Sequence, residues 1–411
     1  MITIHLIPAS YGDTLLLSVY PVDQTQRETF LLIDCGLRYK ASILPIIKDL
    51  KKAGKRLDRF IVTHYDNDHI HSATKLIKEN GALAEPKIIS IEQVWLNTYR
   101  HLQDEPKAVK ELSKEEELLL EEFMADHQEF GGPDEDGHEI NAEQASFLGK
   151  ELLAKGYPWN SDFGGKAVCI ENGREVLVNG TVKLTLLSPT AAALHELKAE
   201  FEAMLKKLKI PLSGSEKIDD AFALYVQQGG HIADLPSGYE ISGTGKINEA
   251  LIRKLSDGSG YDADGAAANG SSIAFILEAN GKKLLLLADA HAEMIMTQLN
   301  KVYGDDANYP IYFDAVKVAH HGSYRNNHPD LFKLIDSPKW LFSTNGLHQS
   351  HAHPDLQTIA LIVNRKLTHG ITERELIFNH TLEHMEGLDD PELKATFHYT
   401  VKMQTFIELD V

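Results

Sequence analysis

The stretch from residue 271 to 365 constrains the fold more than any other part of the chain. It runs "SSIAFILEANGKKLLLLADA", "HAEMIMTQLNKVYG", "FDAVKVAHHGS", "HPDLFKLI", "WLFSTNG" and "HPDLQTIALIVNR". Short apolar runs alternate with segments of helical spacing, which predicts strand, hairpin, strand, helix, strand, helix, strand, helix. That is the signature of a layered α/β architecture. The first third repeats the theme. "ITIHLI", "TLLLSVY", "TFLLID" and "RFIVT" read as strands, "ASILPIIKDLKKAG" as a helix with a glycine stop, "HSATKLIKENG" as a short helix and "KIISIEQVWLN" as a further strand.

Two excursions interrupt this pattern, near 102–165 and near 190–268. Both are mainly helical in spacing, as in "PKAVKELSKEEELLLEEFMADHQEF" and "AALHELKAEFEAMLKKLK". The expectation is one domain over 1–411 carrying two helical insertions. Residues 102 to 145 hold fifteen Asp and Glu against three Lys, which supplies most of the net charge of −19. An acidic surface of this kind disfavours indiscriminate binding to nucleic acid or anionic membrane. No apolar run approaches the roughly 18–20 residues that a membrane span needs. Two cysteines and an N-terminus, "MITIHLIPAS", without a basic flank before an apolar core lead to the expectation of a cytoplasmic protein. The sequence is silent on oligomeric state.

Function concentrates where predicted strands end. After "RFIV" comes "THYDNDHIHS", which places His64, Asp66, Asp68 and His69 within six residues. A polar turn accounts for one such residue, but not for two histidines and two aspartates at His-x-Asp-x-Asp-His spacing. Further on, Asp289 ends the strand of "LLLLADAH", His320 and His321 end that of "VKVAHHGS", and His351 and His353 follow a third in "STNGLHQSHAHP". Side chains meeting at strand ends are the general rule for sites in α/β sheets. Together they point to one or two divalent metals sharing a water. Asp66 adds a hard anionic oxygen, which suits manganese or magnesium as well as zinc.

On these motifs the chain resembles metallo-β-lactamase-fold hydrolases, and within them the soluble hydrolase domain of ComEC-type competence proteins. The matching stretches are "YGDTLLLSV", "TFLLIDCG", "VTHYDNDHI", "NGSSIAFILEANGKKLLLLADA", "DAVKVAHHGS" and "HAHP", over residues 1–80 and 265–360. The resemblance implies a four-layer αββα sandwich with the metal site at one edge. It implies metal ligation by His64, Asp66, Asp68, His69, Asp289 and His321, with Asp34 buttressing the metal loop. His320 becomes a candidate proton donor, and His353 a second candidate for the acid or the late ligand. The family's middle histidine has no counterpart: "LTLLSPT" offers Ser188 there, and His195 lies inside an apparent helix.

The expected chemistry is hydrolysis by a metal-bound hydroxide, with zinc or manganese as cofactor and Asp68, His320 and His353 as the catalytic set. The first reading is a phosphodiesterase or nuclease. Ser323, Arg325 and Asn326 in "HHGSYRNN" are candidates to grip phosphate oxygens, although Arg325 reads equally well as an ordinary loop arginine. The substrate would be a small phosphodiester or a short single strand. A hydrolase of carbonyl substrates such as lactones or thioesters is the second reading, since one fold serves both chemistries. A non-catalytic interaction module is the third.

Overall fold

The computed structural model describes residues 1–23, 25–103, 112–128, 148–212, 216–227, 247–304, 308–347 and 352–410. Much of the acidic segment, and His351, lie outside the described residues. The strands in chain order are β1 Ile2–Leu6, β2 Leu15–Val19, β3 Thr29–Ile33, β4 Arg59–Ile61, β5 Val94–Trp95, β6 Glu175–Val178, β7 Val182–Ser188 and β8 Ala274–Ala279. They continue with β9 Lys282–Leu286, β10 Ile311–Tyr312, β11 Ala315–Lys317, β12 Ile335–Asp336, β13 Lys339–Phe342, β14 Arg374–Phe378, β15 Tyr399–Met403 and β16 Phe406–Leu409.

These strands form two mixed sheets, ordered β16-β1-β2-β3-β4-β5 and β15-β14-β13-β11-β9-β8-β7-β6, with β10 and β12 as a small parallel pair. Their side-chain alternation builds three cores and hence four layers. Ile2, Ile4, Leu15, Leu17, Leu31 and Ile33 of the first sheet meet Leu184, Phe275, Leu277, Leu284, Leu341 and Ile377 of the second. The opposite face of the first sheet, with Leu16, Phe30, Leu32 and Phe60, packs against Ile43, Ile47, Leu76 and Ile77 from helices. The opposite face of the second, with Ile276, Leu285, Val316 and Trp340, packs against Ile295, Leu299, Ile359 and Ile362. The α/β class and the αββα order expected from the sequence are what the chain forms.

Described parts of the two excursions are helical: Lys114–Gln128 and Leu148–Ala154 in the first, Ala191–Lys207, Glu216–Gln227 and Glu249–Leu255 in the second. Two local expectations need correction. "KIISIEQVWLN" yields only Val94–Trp95 as regular strand, because its earlier part reaches β4's neighbourhood through a single bridge, Leu57 to Ile91. The segment "HPDLFKLI" forms one helical turn, Leu331–Leu334, before passing into β12. The C-terminal tail, outside the motif match, closes both sheets: β15 pairs with β14, and β16 pairs with β1.

Candidate metal centre

β3 and β4 run parallel, as do β9, β11 and β13, so their C-terminal ends collect at one edge of the sandwich. There the two sheets meet. The Ile273 amide donates to the Thr63 carbonyl at 3.0 Å, and the Ser343 hydroxyl to the Gly12 carbonyl at 3.2 Å. β3 delivers Asp34, β4 delivers Thr63 and His64, and a one-turn helix, Asn67–Ile70, carries Asp68 and His69. From the other sheet come Asp289 after β9 and the turn His320–Gly322 after β11.

The hydrogen bonds fix which nitrogen of each ring faces the centre. His69 Nδ1 lies 2.8 Å from an Asp34 oxygen, and His321 Nδ1 lies 2.7 Å from the Ser343 carbonyl. His64 Nδ1 stands 3.1 Å from the Thr63 hydroxyl, which itself donates to Asp34 at 2.9 Å. Each partner accepts, so each Nδ1 carries the proton and each Nε2 turns its lone pair inward. What those lone pairs face is negative. His64 Nε2 is 3.4 Å from Asp66 Oδ2 and 3.8 Å from Asp289 Oδ2. His69 Nε2 is 3.4 Å from Asp289 Oδ1 and 3.7 Å from Asp68 Oδ2, and His321 Nε2 is 2.9 Å from Asp68 Oδ2. Lone pairs aimed at carboxylates repel unless a cation lies between them.

Burial sharpens the requirement. His64 Nε2, His69 Nε2, Asp66 Oδ1 and Asp289 Oδ1 are shut from solvent with no hydrogen-bond partner among the described residues. Buried polar atoms without partners are rare and expensive. Two groups of donor atoms lie within 4.8 Å of one another: His64, His69 and Asp289, and Asp68, His69 and His321. A third such group, Asp13, Asp34 and His69, has its atoms largely engaged already, by Lys317, Thr63 and the His69–Asp34 bond itself. The first two share His69, whose one inward lone pair serves a single cation, and they fit divalent metal by donor type, burial and orientation.

Protons answer the same field when no metal is bound. Burial opposes a charge on His69, yet Asp289, Asp68 and Asp34 outweigh it and hold the imidazole well above its ordinary range. His321 is likewise opposed by burial and is raised to about 10, chiefly by Asp13 and Asp68. Burial pushes Asp289 up, but His320 and His69 dominate and drive it well below the usual carboxylate range.

The structure brings together His64, Asp66, Asp68, His69, Asp289, His320 and His321, with Asp34 behind His69. The His353 ring is 5.3 Å from that of His320. The three candidates for gripping phosphate have partners within the protein. Ser323 is buried in the turn, and Arg325 Nη2 donates to the Ala263 carbonyl at 3.2 Å. Asn326 is buried, with both ends of its amide engaged: Oδ1 faces His320 Nδ1 at 2.9 Å, and Nδ2 donates to Asp264 at 2.8 Å and to the Asp289 carbonyl at 3.0 Å. It positions His320. His195 is exposed on its helix, and Ser188 is buried at the end of β7.

Sequence reasoning passed over Asp13 and Lys317. Lys317 Nζ donates to Asp13 Oδ2 at 2.6 Å, both nearly buried, and Asp13 Oδ1 lies 3.5 Å from His321 Nδ1. The signal was a lysine inside an apolar strand, "FDAVKVA", since a buried ammonium demands a carboxylate partner.

Residues 18–138 match the family model described as the metallo-beta-lactamase superfamily. The match covers β3, β4, β5 and the His64–His69 loop, but stops well before Asp289. No curated protein sequence matches the chain. Among solved structures, the chain is similar to the metallo-beta-lactamase fold protein YhfI from Bacillus subtilis, at 9% identity and a TM-score of 0.35, covering 99% of this chain and 100% of that one. It is also similar to Zn(2+)-bound PqqB from Methylobacterium extorquens, at 11% identity and a TM-score of 0.37, over the whole of both chains. The layered α/β architecture is consistent with the metallo-β-lactamase fold.

Proposed function

We propose that the protein is a metal-dependent hydrolase acting on phosphodiesters, small ones or short single strands. The observation that carries the metal is the set of inward lone pairs on His64, His69 and His321 facing Asp66, Asp68 and Asp289 in a buried site. Bound there, divalent cations would lower the pKa of a water and polarise the bond to be cleaved. The chain's own residues do the rest. Asp34, Thr63 and Ser343 hold the histidine rings in one tautomer. We assign the proton transfer to the leaving oxygen to His353, whose ring lies beside that of His320.

Charge admits the phosphodiester: Asp66, Asp68 and Asp289 against two dications would leave one positive charge, or none with a hydroxide bound, so an anionic substrate would meet no net negative charge at the metals. Similarity of the His-x-Asp-x-Asp-His and His-His-Gly-Ser motifs to ComEC-type hydrolase domains supports that reading. The test uses pure protein stripped with a chelator and reloaded with manganese or zinc, assayed on bis(p-nitrophenyl) phosphate, short single-stranded DNA, a lactone and a thioester. Phosphodiester cleavage should return with metal, and Asp68→Ala should lower it more than about a hundredfold, beyond the loss typical of an outer partner. Cleavage of the lactone or thioester alone would replace the phosphodiester reading. Protein that takes up no metal would return the chain to the class of interaction modules.

A further inference from the structure

We propose that His320 is a further ligand of the metal position formed by His64 and Asp289. The inference rests on the metal reading above. Around Asp289 Oδ2 stand His64 Nε2 and, 3.4 Å from that nitrogen, Asp66 Oδ2, so a single imidazole from the first sheet serves the position beside its carboxylates. β7 ends in Ser188, buried and without an imidazole. His320 approaches from the other side. Its Nε2 lies 3.5 Å from Asp289 Oδ2, the same oxygen that His64 Nε2 approaches at 3.8 Å. Two histidines from different sheets thus flank one carboxylate oxygen.

The hydrogen bonds behind His320 set its tautomer. Asn326 Nδ2 points to two acceptors, Asp264 Oδ2 and the Asp289 carbonyl, so its amide has one orientation only. Its Oδ1 then accepts from His320 Nδ1, and the lone pair of Nε2 faces Asp289. Asp264 is itself held by Asn269 at 2.7 Å and by the Ala266 amide at 3.0 Å. A carboxylate–amide–imidazole chain of this kind is how ligating histidines are oriented and made more basic.

The backbone agrees. His320 and His321 both have left-handed conformations, with φ of 44° and 53°, which ordinary side chains adopt at a cost. The turn sets the two rings 70° apart, with centroids 5.8 Å from each other. His321 is thereby sent to Asp68, and its neighbour to Asp289. A ring that faces a buried carboxylate is badly placed to donate to a leaving group. The acid role expected of His320 passes to His353.

The test is metal stoichiometry and affinity rather than turnover. Apo protein is titrated with cobalt(II), followed by its d–d absorption and by elemental analysis after gel filtration, for wild type, His320→Ala, His320→Gln and His353→Ala. Wild type and His353→Ala should each take two equivalents. Both His320 variants should keep the wild-type circular dichroism and lose one equivalent, or bind it more than about a hundredfold more weakly, with a changed absorption band. Asn326→Ala should weaken that same equivalent by about 10–100-fold. Two equivalents at wild-type affinity in His320→Gln would overturn the assignment while leaving the metal reading intact. A wild type that takes one equivalent, unchanged in His320→Gln, would overturn it too. A wild type that takes none would overturn both.

Discussion

Asp34 occupies a left-handed backbone position, φ 58°, at the end of β3 and takes hydrogen bonds from the Thr63 amide at 2.7 Å, the Thr63 hydroxyl and His69 Nδ1. One carboxylate therefore fixes both the strand end that presents His64 and the ring of His69. Asp34→Ala should weaken metal binding by about 10–100-fold, the usual cost of losing a partner behind a ligand. It also leaves a buried amide unpaired, at about 1–3 kcal/mol of stability. Asp34→Asn separates the two effects, because asparagine tolerates the left-handed backbone while an amide nitrogen opposes one of the donors. Calorimetric metal titration beside urea unfolding of both variants checks this; unchanged metal affinity in Asp34→Ala would remove the orienting role. The same economy of space governs Asp68. A Cβ on Gly12 or Gly36 would stand 2.0 Å or 2.3 Å from the Asp68 carbonyl oxygen, so the loop is seated between two glycine backbones.

Elements are tied by buried charge as well as by ladders. Asp336 on β12 receives a two-pronged Arg374 from β14, at 3.1 and 2.8 Å, with Arg365 at 3.3 Å from the chain following helix Leu356–Val363. Burial raises the Asp336 pKa, but the Arg374 hydrogen bond and the two guanidinium charges outweigh it, and the net shift is downward. A depressed folded-state pKa contributes stability that is present above the unfolded value of about 4 and lost as pH falls through the folded one. Asp336→Asn should therefore cost about 3–5 kcal/mol near pH 7, the range for breaking a buried pair, and progressively less below pH 4. Urea midpoints of both proteins from pH 7 to pH 3 test it, and a gap that does not narrow would refute it. The strands and most histidines and aspartates of the candidate site were legible because they follow local rules: apolar runs, their periods, and polar residues at their ends. What escaped was set by tertiary partners. Asn326 reads as a loop polar residue until Asp264 and Asp289 occupy its amide. Tyr65, inside the metal motif, packs edge-on against Phe222 of helix Glu216–Gln227, a contact across 157 positions that no local pattern announces.

At the scale of the whole molecule, the candidate site bridges two sheets that otherwise meet through an apolar interface. His64, Asp66, Asp68 and His69 belong to the first sheet's strand ends, while Asp289, His320 and His321 belong to the second's. Without a cation, that junction sets buried carboxylates against imidazoles that must take up protons to be tolerated, and leaves His64 Nε2 and Asp289 Oδ1 without partners. A metal bound there clamps the halves together, and because the unfolded chain has no such site, its binding energy becomes folding energy. Metal at a hundred times its dissociation constant should add about 2.7 kcal/mol. Since the clamp joins both sheets, the whole unfolding transition should shift upward as one. Differential scanning calorimetry with manganese and then with chelator tests the shift. His69→Ala, which removes the donor common to both groups, should abolish the metal dependence. A metal-induced rise that persists in that variant, or one confined to part of the transition, would mean that the cation binds elsewhere than between the sheets.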